Sequence, residues 1–273
     1  MRRGVVLLLG LGLICLPGCG GSGGSAGVVN ISGSTSMELV AGALTEAYQL
    51  EHSGVTVNFS GSGSSAGIQN VLEGLCDIGL SSRALTAREL EQGAQAHVAA
   101  LDGIAVIVHP DNPVDDLTPE QLAALAVGEI TNWSQLGGPD APIALIGREA
   151  GSGTRSAFEE SLGVSGRCAY TNELTSSGDV SINVASNPNA LGYTSLTAAM
   201  DSVKILNIGG ITPGEDTVQD GSYAIQRPFL MVTRTGDPLP EAAQGFLDYA
   251  LSAQAAPFIR IAGAIPPGKA DPS

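Results

Sequence analysis

A chain of 273 residues, 43% of them apolar, can bury one large core or two medium ones, although only 4% of its residues are aromatic. A net charge of −15 argues against nucleic-acid binding, which needs basic patches to meet phosphate, and against adhesion to an anionic membrane by charge alone. The three histidines (His52, His97 and His109) do not cluster, and no metal-ligand spacing appears, so neither a metal nor a cofactor is expected.

The N-terminus has the order of an export signal: Met1-Arg2-Arg3, an apolar run from Gly4 to Leu16, and a small-residue exit. That run is shorter than the roughly 20 apolar residues of a membrane span. Cys19, directly after Leu16-Pro17-Gly18, resembles the acylated cysteine of a bacterial lipobox. Residues 1–18 are therefore expected to be a signal peptide, Cys19 a lipid attachment point, and 19–27 a flexible Gly/Ser tether. The alternative is an ordinary signal peptide with an incidental cysteine. Either way the protein is exported; with lipid it is anchored to the bacterial cell membrane, on its periplasmic or extracellular face. Of the remaining cysteines, Cys15 leaves with the signal, while Cys76 and Cys168 stay in the folded part. An oxidising compartment permits a bridge between them, but their separate contexts fit two buried thiols equally well.

Beyond the tether, strands and helices alternate. Val28–Ile31 reads as a strand, Gly33–Ser36 as a turn, and Met37–Leu50 as an amphipathic helix. Val55–Ser60 is a β-branched strand, Gly61–Gly67 a glycine-serine loop, Ile68–Gly74 a helix and Asp77–Ser81 a short strand. Thr86 and Glu89 have capping-box spacing for a helix reaching about Ala96. Ile104–Val108 is a buried strand, and Thr118 with Pro119 starts a helix to about Val127. Then come a strand over Ile143–Ile146, a loop over Arg148–Arg155, a helix through Leu162 and a strand over Leu191–Thr194. A turn-rich surface crossing over Ile211–Arg227, a strand over Phe229–Thr233 and a helix over Pro240–Ala255 complete the chain. This alternation implies an α/β fold with sheets covered on both faces.

The functional signal lies in three loops of one kind: Gly33-Ser34-Thr35-Ser36, Gly61 to Gly67, and Gly151-Ser152-Gly153-Thr154. Each sits between a strand and a helix start, where free backbone N–H groups and the positive end of the helix dipole favour an anion. Glycine admits close backbone approach, and the hydroxyls add donors. In open α/β sheets such loops gather at the carboxyl ends of the strands. Two arginines could add formal charge: Arg148 before the third loop, and Arg83 beside Ser82. Their planar forks suit two oxygens of an oxyanion. The competing local readings are a Thr35–Glu38 capping box, a Ser156–Glu159 box one turn into the last helix, and surface salt bridges for the arginines.

Taken in order, Ile31–Ser36, Gly61–Ile68, Asp77–Arg83 and Arg148–Arg155 resemble the phosphate-binding lipoprotein of Pst-type phosphate uptake transporters, which are ABC importers. Glu129–Trp133 and Asn189–Tyr193 extend the likeness, which runs from about Val28 to Pro266. The resemblance implies a type II, two-lobed periplasmic-binding-protein fold, each lobe a sheet flanked by helices, with ligand in the interlobe cleft. One lobe would comprise 28–102 plus 229–273 and the other 103–228. By motif position, Ser34, Thr35, Ser36, Ser64, Ser82 and Arg83 would hold phosphate from the first lobe. Arg148, Ser152, Gly153 and Thr154 would hold it from the second. A membrane permease is the implied partner, and a monomer the expected state. One departure stands out: some members carry an aspartate where this chain has Ser82, and that carboxylate accepts the proton phosphate keeps and sulfate lacks.

Rival readings carry less. Gly63-Ser64-Ser65-Ala66-Gly67 matches the nucleophile elbow of a serine hydrolase, but only His97 and His109 follow it and none lies in the C-terminal half. A phosphatase would want a metal cluster or a paired nucleophile and base. A phosphate-sensing ectodomain or a broader, sulfate-like oxyanion binder would use the same cradle.

Overall fold

The computed structural model describes residues 27–267. The proposed signal peptide, Cys19 and the tether up to residue 26 lie outside the described residues. Gly27 is not tether: it opens the first strand, its N–H donating to Gly54 O at 3.1 Å.

In chain order the elements are β1 (Gly27–Gly33), a 3-10 turn (Thr35–Met37) leading into α1 (Glu38–Glu51), β2 (Val55–Gly61), α2 (Ser64–Leu72), β3 (Ile78–Ser81) and α3 (Ala87–Glu91). Then follow β4 (Ala94–Val108), β5 (Asp116–Leu117), α4 (Pro119–Ala126), β6 (Ala144–Arg148), α5 (Gly153–Ser161), β7 (Asn172–Leu174), α6 (Ser177–Ser186) and β8 (Ala190–Ser195). The chain ends through β9 (Lys204–Ile205), β10 (Asn207–Ile208), α7 (Glu215–Gln219), β11 (Gln226–Arg234), α8 (Glu241–Ala250) and α9 (Ala256–Ile261).

The strands run in the order β2-β1-β3-β11-β4-β8-β6-β7, with β9 also on β4 and a separate β5–β10 pair. The 15-residue β4 joins the two halves. Its residues 94–103 pair antiparallel with β11, and Ile104–Val108 pair antiparallel with β8. The type II fold thus consists of two half-sheets sharing β4. One core gathers Val29, Ile31, Leu44, Phe229 and Phe246; the other gathers Val106, Leu122, Trp133, Phe158 and Tyr193. The uninterrupted apolar run at the end of β4 follows from its burial on both faces. Ile104, Val106 and Val108 enter the second core, while Ala105 and Ile107 pack on the opposite face with Ile146, Val180 and Val184. The lobe boundaries expected at 102/103 and 228/229 fall inside β4 and β11.

Local signals place several elements. Both capping boxes form, at Thr86–Glu89 and Thr118–Gln121, the second with Pro119 in the first turn. The two outlying family stretches meet: the fully buried Trp133 donates through Nε1 to Asn189 O at 3.0 Å.

Several expectations need correction. α5 starts at Gly153, inside the loop expected over Arg148–Arg155. α2 starts at Ser64, inside the presumed loop. α3 stops at Glu91, because Gly93 takes a left-handed φ of 94° and 94–96 already belong to β4. The 211–227 segment is no simple surface crossing: it contains α7, and it buries Tyr223 and Ile225, Tyr223 donating to Ile104 O at 2.8 Å. The final helix is broken, since α8 ends at Ala250 and Ser252 caps a new 3-10 turn before α9. Helix α6 and strand β7 had no sequence expectation.

Cys76 and Cys168 are both free and half-buried, so the bridge does not form. Burial, with help from Asp77, pushes the Cys76 thiol up to about 11, which leaves it protonated and unreactive at neutral pH. No helix among the described residues is long and apolar enough to cross a membrane.

Candidate anion-binding site

Four helix starts meet where the two half-sheets face each other. β1 delivers Ser34, Thr35 and Ser36; β2 delivers Ser64; β6 delivers Arg148 and, through a short loop, Ser152, Gly153 and Thr154; β7 leads to Ser177. Gly63 makes the second approach possible: its φ of 85° suits only glycine, and it turns the chain straight from β2 into α2. Gly153 makes the third possible. A Cβ there would lie 2.3 Å from Ser64 Oγ and 2.7 Å from Ser82 Oγ, so only a bare backbone fits against the opposite wall.

The walls are hydroxyls in contact. Ser34 Oγ donates to Ser82 Oγ at 2.8 Å, and Ser64 Oγ lies 3.3 Å from Ser82 Oγ while accepting from the Ser82 N–H at 3.1 Å. Across the cleft, Ser36 Oγ is 2.7 Å from Thr154 Oγ1 and 2.8 Å from Ser177 Oγ. Ser34, Ser36, Ser64, Ser82, Ser152, Thr154 and Ser177 are all buried. Each hydroxyl can donate once and accept twice, so the set can re-aim its protons around whatever it encloses. Ser152 caps α5, accepting from the Arg155 N–H at 3.3 Å, which keeps its own proton available. The N–H groups of Gly153 and Thr154 lie in the first turn of α5, beyond reach of any intrahelical carbonyl. The Ser156–Glu159 box is not used. The Thr35–Glu38 box is not used either: Ser34 is the N-cap, and Thr35 Oγ1 instead accepts from Arg148 Nη2 at 3.2 Å.

Arg148 is the electrostatic centre. Its side chain is 1% exposed, and all its acceptors are neutral: Leu174 O at 3.1 Å, Thr175 O at 2.8 Å, Ser177 Oγ at 2.9 Å and Thr35 Oγ1. It forms no ion pair, whereas Arg83, Arg155, Arg227, Arg234 and Arg260 all do. Burial, and then the charge of Arg227, push the guanidinium down to about 10, so it stays charged at neutral pH at a cost in desolvation. A buried cation whose hydrogen-bond acceptors are all neutral, at the junction of four helix N-termini, creates a strong positive potential in a water-poor space.

The placement of the expected residues is uneven. Ser34, Thr35, Ser36, Ser64, Ser82, Arg148, Ser152, Gly153 and Thr154 converge. Arg83 does not join them. Its fork is taken by Glu89, with Nη1 to Oε2 at 2.9 Å and Nη2 to Oε1 at 2.7 Å, and by Ala84 O and Ser65 Oγ. Glu89 is the residue that closes the Thr86 capping box, so it is held rigidly in place for the arginine. Burial alone would raise the Glu89 carboxyl; Arg83 and the Thr86 N–H outweigh this and hold it below its usual range. Two features escaped the sequence reading. Ser177 bonds both Arg148 and Ser36, and the Ser176–Asp179 spacing, a capped helix start, was the signal that could have found it. The buried pair Arg227–Asp102 lies directly behind Ser82, whose carbonyl accepts from Arg227 Nη1 at 3.4 Å.

Known proteins share this sequence pattern and fold. A PBP superfamily domain model matches residues 20–254. The phosphate-binding protein PstS of Borreliella burgdorferi is 30% identical over 247 residues, covering 85% of this chain and 88% of that protein. PstS of Bacillus subtilis is 32% identical over 234 residues, covering 82% and 75%. Among solved structures, a phosphate-bound Clostridium perfringens protein assigned as the substrate-binding component of a phosphate ABC transporter superposes with a TM-score of 0.86. It is 38% identical and covers 89% of this chain and 100% of that one. An ABC-type phosphate transport receptor from Vibrio cholerae gives a TM-score of 0.73 at 34% identity, with 88% and 100% coverage. With its two half-sheets, its convergent helix starts and these relatives, the chain belongs to the PBP superfamily, in the family of the phosphate-binding protein PstS.

Proposed function

We propose that this protein is an extracytoplasmic solute-binding protein that captures inorganic phosphate and delivers it to the membrane permease of an ABC importer. One observation carries the reading: Arg148 is buried and charged with no carboxylate to pair with, inside a ring of hydroxyls and helix N-termini. Such an arrangement is stabilised by an anion brought from outside. The ligand set is Ser34, Thr35, Ser36, Ser64, Ser82, Arg148, Ser152, Gly153 and Thr154. The Arg148 fork and the hydroxyls donate, joined by the N–H groups of Ser36, Gly153 and Thr154. Two lobes, divided within β4 and β11, close over the dehydrated ion by hinge motion. Fully paired buried hydrogen bonds then reward the right anion and penalise the wrong one. Binding is the whole of its chemistry. Lipid on Cys19 would hold the monomer at the membrane beside its permease.

Ser82 favours a second reading. With a hydroxyl in place of a carboxylate, nothing at this position repels a fully deprotonated oxyanion, which points to wider tolerance that includes sulfate. The test is calorimetric titration of the full-length protein, stripped of ligand by unfolding and refolding, with phosphate and then sulfate. Tight one-to-one phosphate binding with no sulfate heat is expected of a phosphate receptor. Equal heats would establish the broader binder, and silence with both would end the transport reading.

A further inference from the structure

Asp102 and Arg227 contribute no group to the anion cradle, yet both are buried, at 0% and 4% exposure. They face each other in register on β4 and β11, the two strands that pass between the cores. Asp102 Oδ2 accepts from Arg227 Nε at 3.0 Å and Nη2 at 2.8 Å. Asp102 Oδ1 accepts from Ser195 Oγ at 2.7 Å, at the end of β8. Ser195 Oγ in turn accepts from the Thr197 N–H at 3.2 Å, and Thr197 Oγ1 donates to Ser36 O at 2.9 Å. At the other end, Arg227 Nη1 reaches Ser82 O.

An unbroken polar chain therefore runs from the main chain of Ser36, through β8 and both crossing strands, to the main chain of Ser82. Both ends are carbonyls of residues whose hydroxyls line the cradle. The two ends contact the cradle at different walls: Ser36 meets Thr154 and Ser177, while Ser82 meets Ser34 and Ser64. A displacement of β4 against β11 would thus be felt at both walls together. Packing alone would hold Ser36 through side chains; here its carbonyl is held by a hydroxyl anchored on a buried ion pair, which resists rotation of the Ser36 peptide.

We propose that Thr197, anchored through Ser195 to the Asp102–Arg227 pair, is the positioning residue of the Ser36 turn, so that the strands joining the two cores set the geometry of the anion cradle. This rests on the phosphate-binding reading. Thr197 hydrogen-bonds no cradle hydroxyl: its Oγ1 donates to Ser36 O and lies 2.8 Å from Ser195 Oγ, so its reach to the anion runs through the Ser36 turn.

The experiment compares phosphate titrations of the full-length wild type, Thr197→Val and Thr197→Ser. Loss of the hydroxyl leaves the Ser36 carbonyl without its donor, and phosphate affinity is expected to fall about fivefold in the valine variant. The serine variant keeps the hydroxyl and should restore wild-type affinity, which a role in packing the methyl group would not allow. Valine binding as tightly as wild type, or serine binding as weakly as valine, overturns the proposal while leaving the phosphate reading intact. Wild-type protein that gives no phosphate heat overturns the reading itself, and the proposal with it.

Discussion

Arg148 and Arg227 are both buried guanidinium groups at the junction of the two half-sheets, and they solve the same physical problem in opposite ways. Taking an ion out of water costs several kcal/mol even after relaxation. Arg227 meets that cost with its own countercharge: Asp102 accepts from two of its nitrogens, and the Phe229 ring lies 5.4 Å from its guanidinium carbon. Arg148 hydrogen-bonds only carbonyls and hydroxyls; Arg227 repels it, and Glu149 and Asp179 attract it without forming an ion pair. The difference separates a cation that belongs to the scaffold from a cation held in place for something else. The neutral acceptors around Arg148 fix its fork without spending its charge, so an incoming anion meets a rigid, uncompensated donor, and little ordering is left to be done on binding.

The sharpest way to break this contrast is to remove each charge in turn. Arg227→Met leaves Asp102 buried with Ser195 as its remaining side-chain partner, and is expected to lower the unfolding free energy of ligand-free protein by about 3–5 kcal/mol. Urea unfolding measures this, and a loss under about 1 kcal/mol would show that the pair is not what stabilises the crossing. Arg148→Met should behave the other way round. Removing an unpaired buried charge relieves desolvation, so stability should stay within about 1 kcal/mol of the parent. Phosphate affinity should fall about a hundredfold, roughly 2.7 kcal/mol, because charge-assisted hydrogen bonds to the anion are lost. A variant that binds normally in the calorimeter would remove Arg148 from the site.

Why one arginine was legible in the sequence and the other was not follows from the range of the interactions. Arg148 closes a strand and precedes Gly151-Ser152-Gly153-Thr154, so its role is written within a few residues of itself. The same locality made the helix starts at Thr86 and Thr118 readable, along with the serine-rich turns. Arg227 and Asp102 are 125 residues apart, and they meet only because β11 lies against β4 in one register. That register depends on which faces the two cores bury, and no short window contains it. The long β4 was missed for a related reason. Its first half, Ala94–Gly103, mixes small, polar and apolar residues and becomes a strand through pairing along β11, whereas Ile104–Val108 announces itself by continuous β-branched and apolar residues. Ser177 lay between: the capping spacing was local, but its contact with Arg148 was not.

Arg83 gives the smallest expected effect and the most discriminating one, because sequence position alone makes it a rival to Arg148. It follows Ser82 directly, and Ser82 lies in the cradle. Past the end of β3 at Ser81, however, the chain bends at Ser82 and Arg83, so position beside Ser82 does not aim the Arg83 side chain at the cradle. Arg83 accordingly turns to Glu89, a carboxylate already fixed by its capping bonds to Thr86. Its charge is compensated before any anion arrives. Arg83→Ala should therefore change phosphate affinity by less than about twofold, while the start of α3 loosens and stability falls by about 1 kcal/mol, because Glu89, whose side chain is 15% exposed, keeps its Thr86 bonds and can reach water once Arg83 is gone. The paired measurement is calorimetry with phosphate and thermal unfolding without it. A tenfold loss of affinity would mean that the Glu89 pairing yields when ligand enters, and that a compensated arginine can still serve the site. An unchanged affinity beside a lowered melting temperature would place Arg83 with Arg227, as scaffold, and leave Arg148 as the arginine whose countercharge comes from solution.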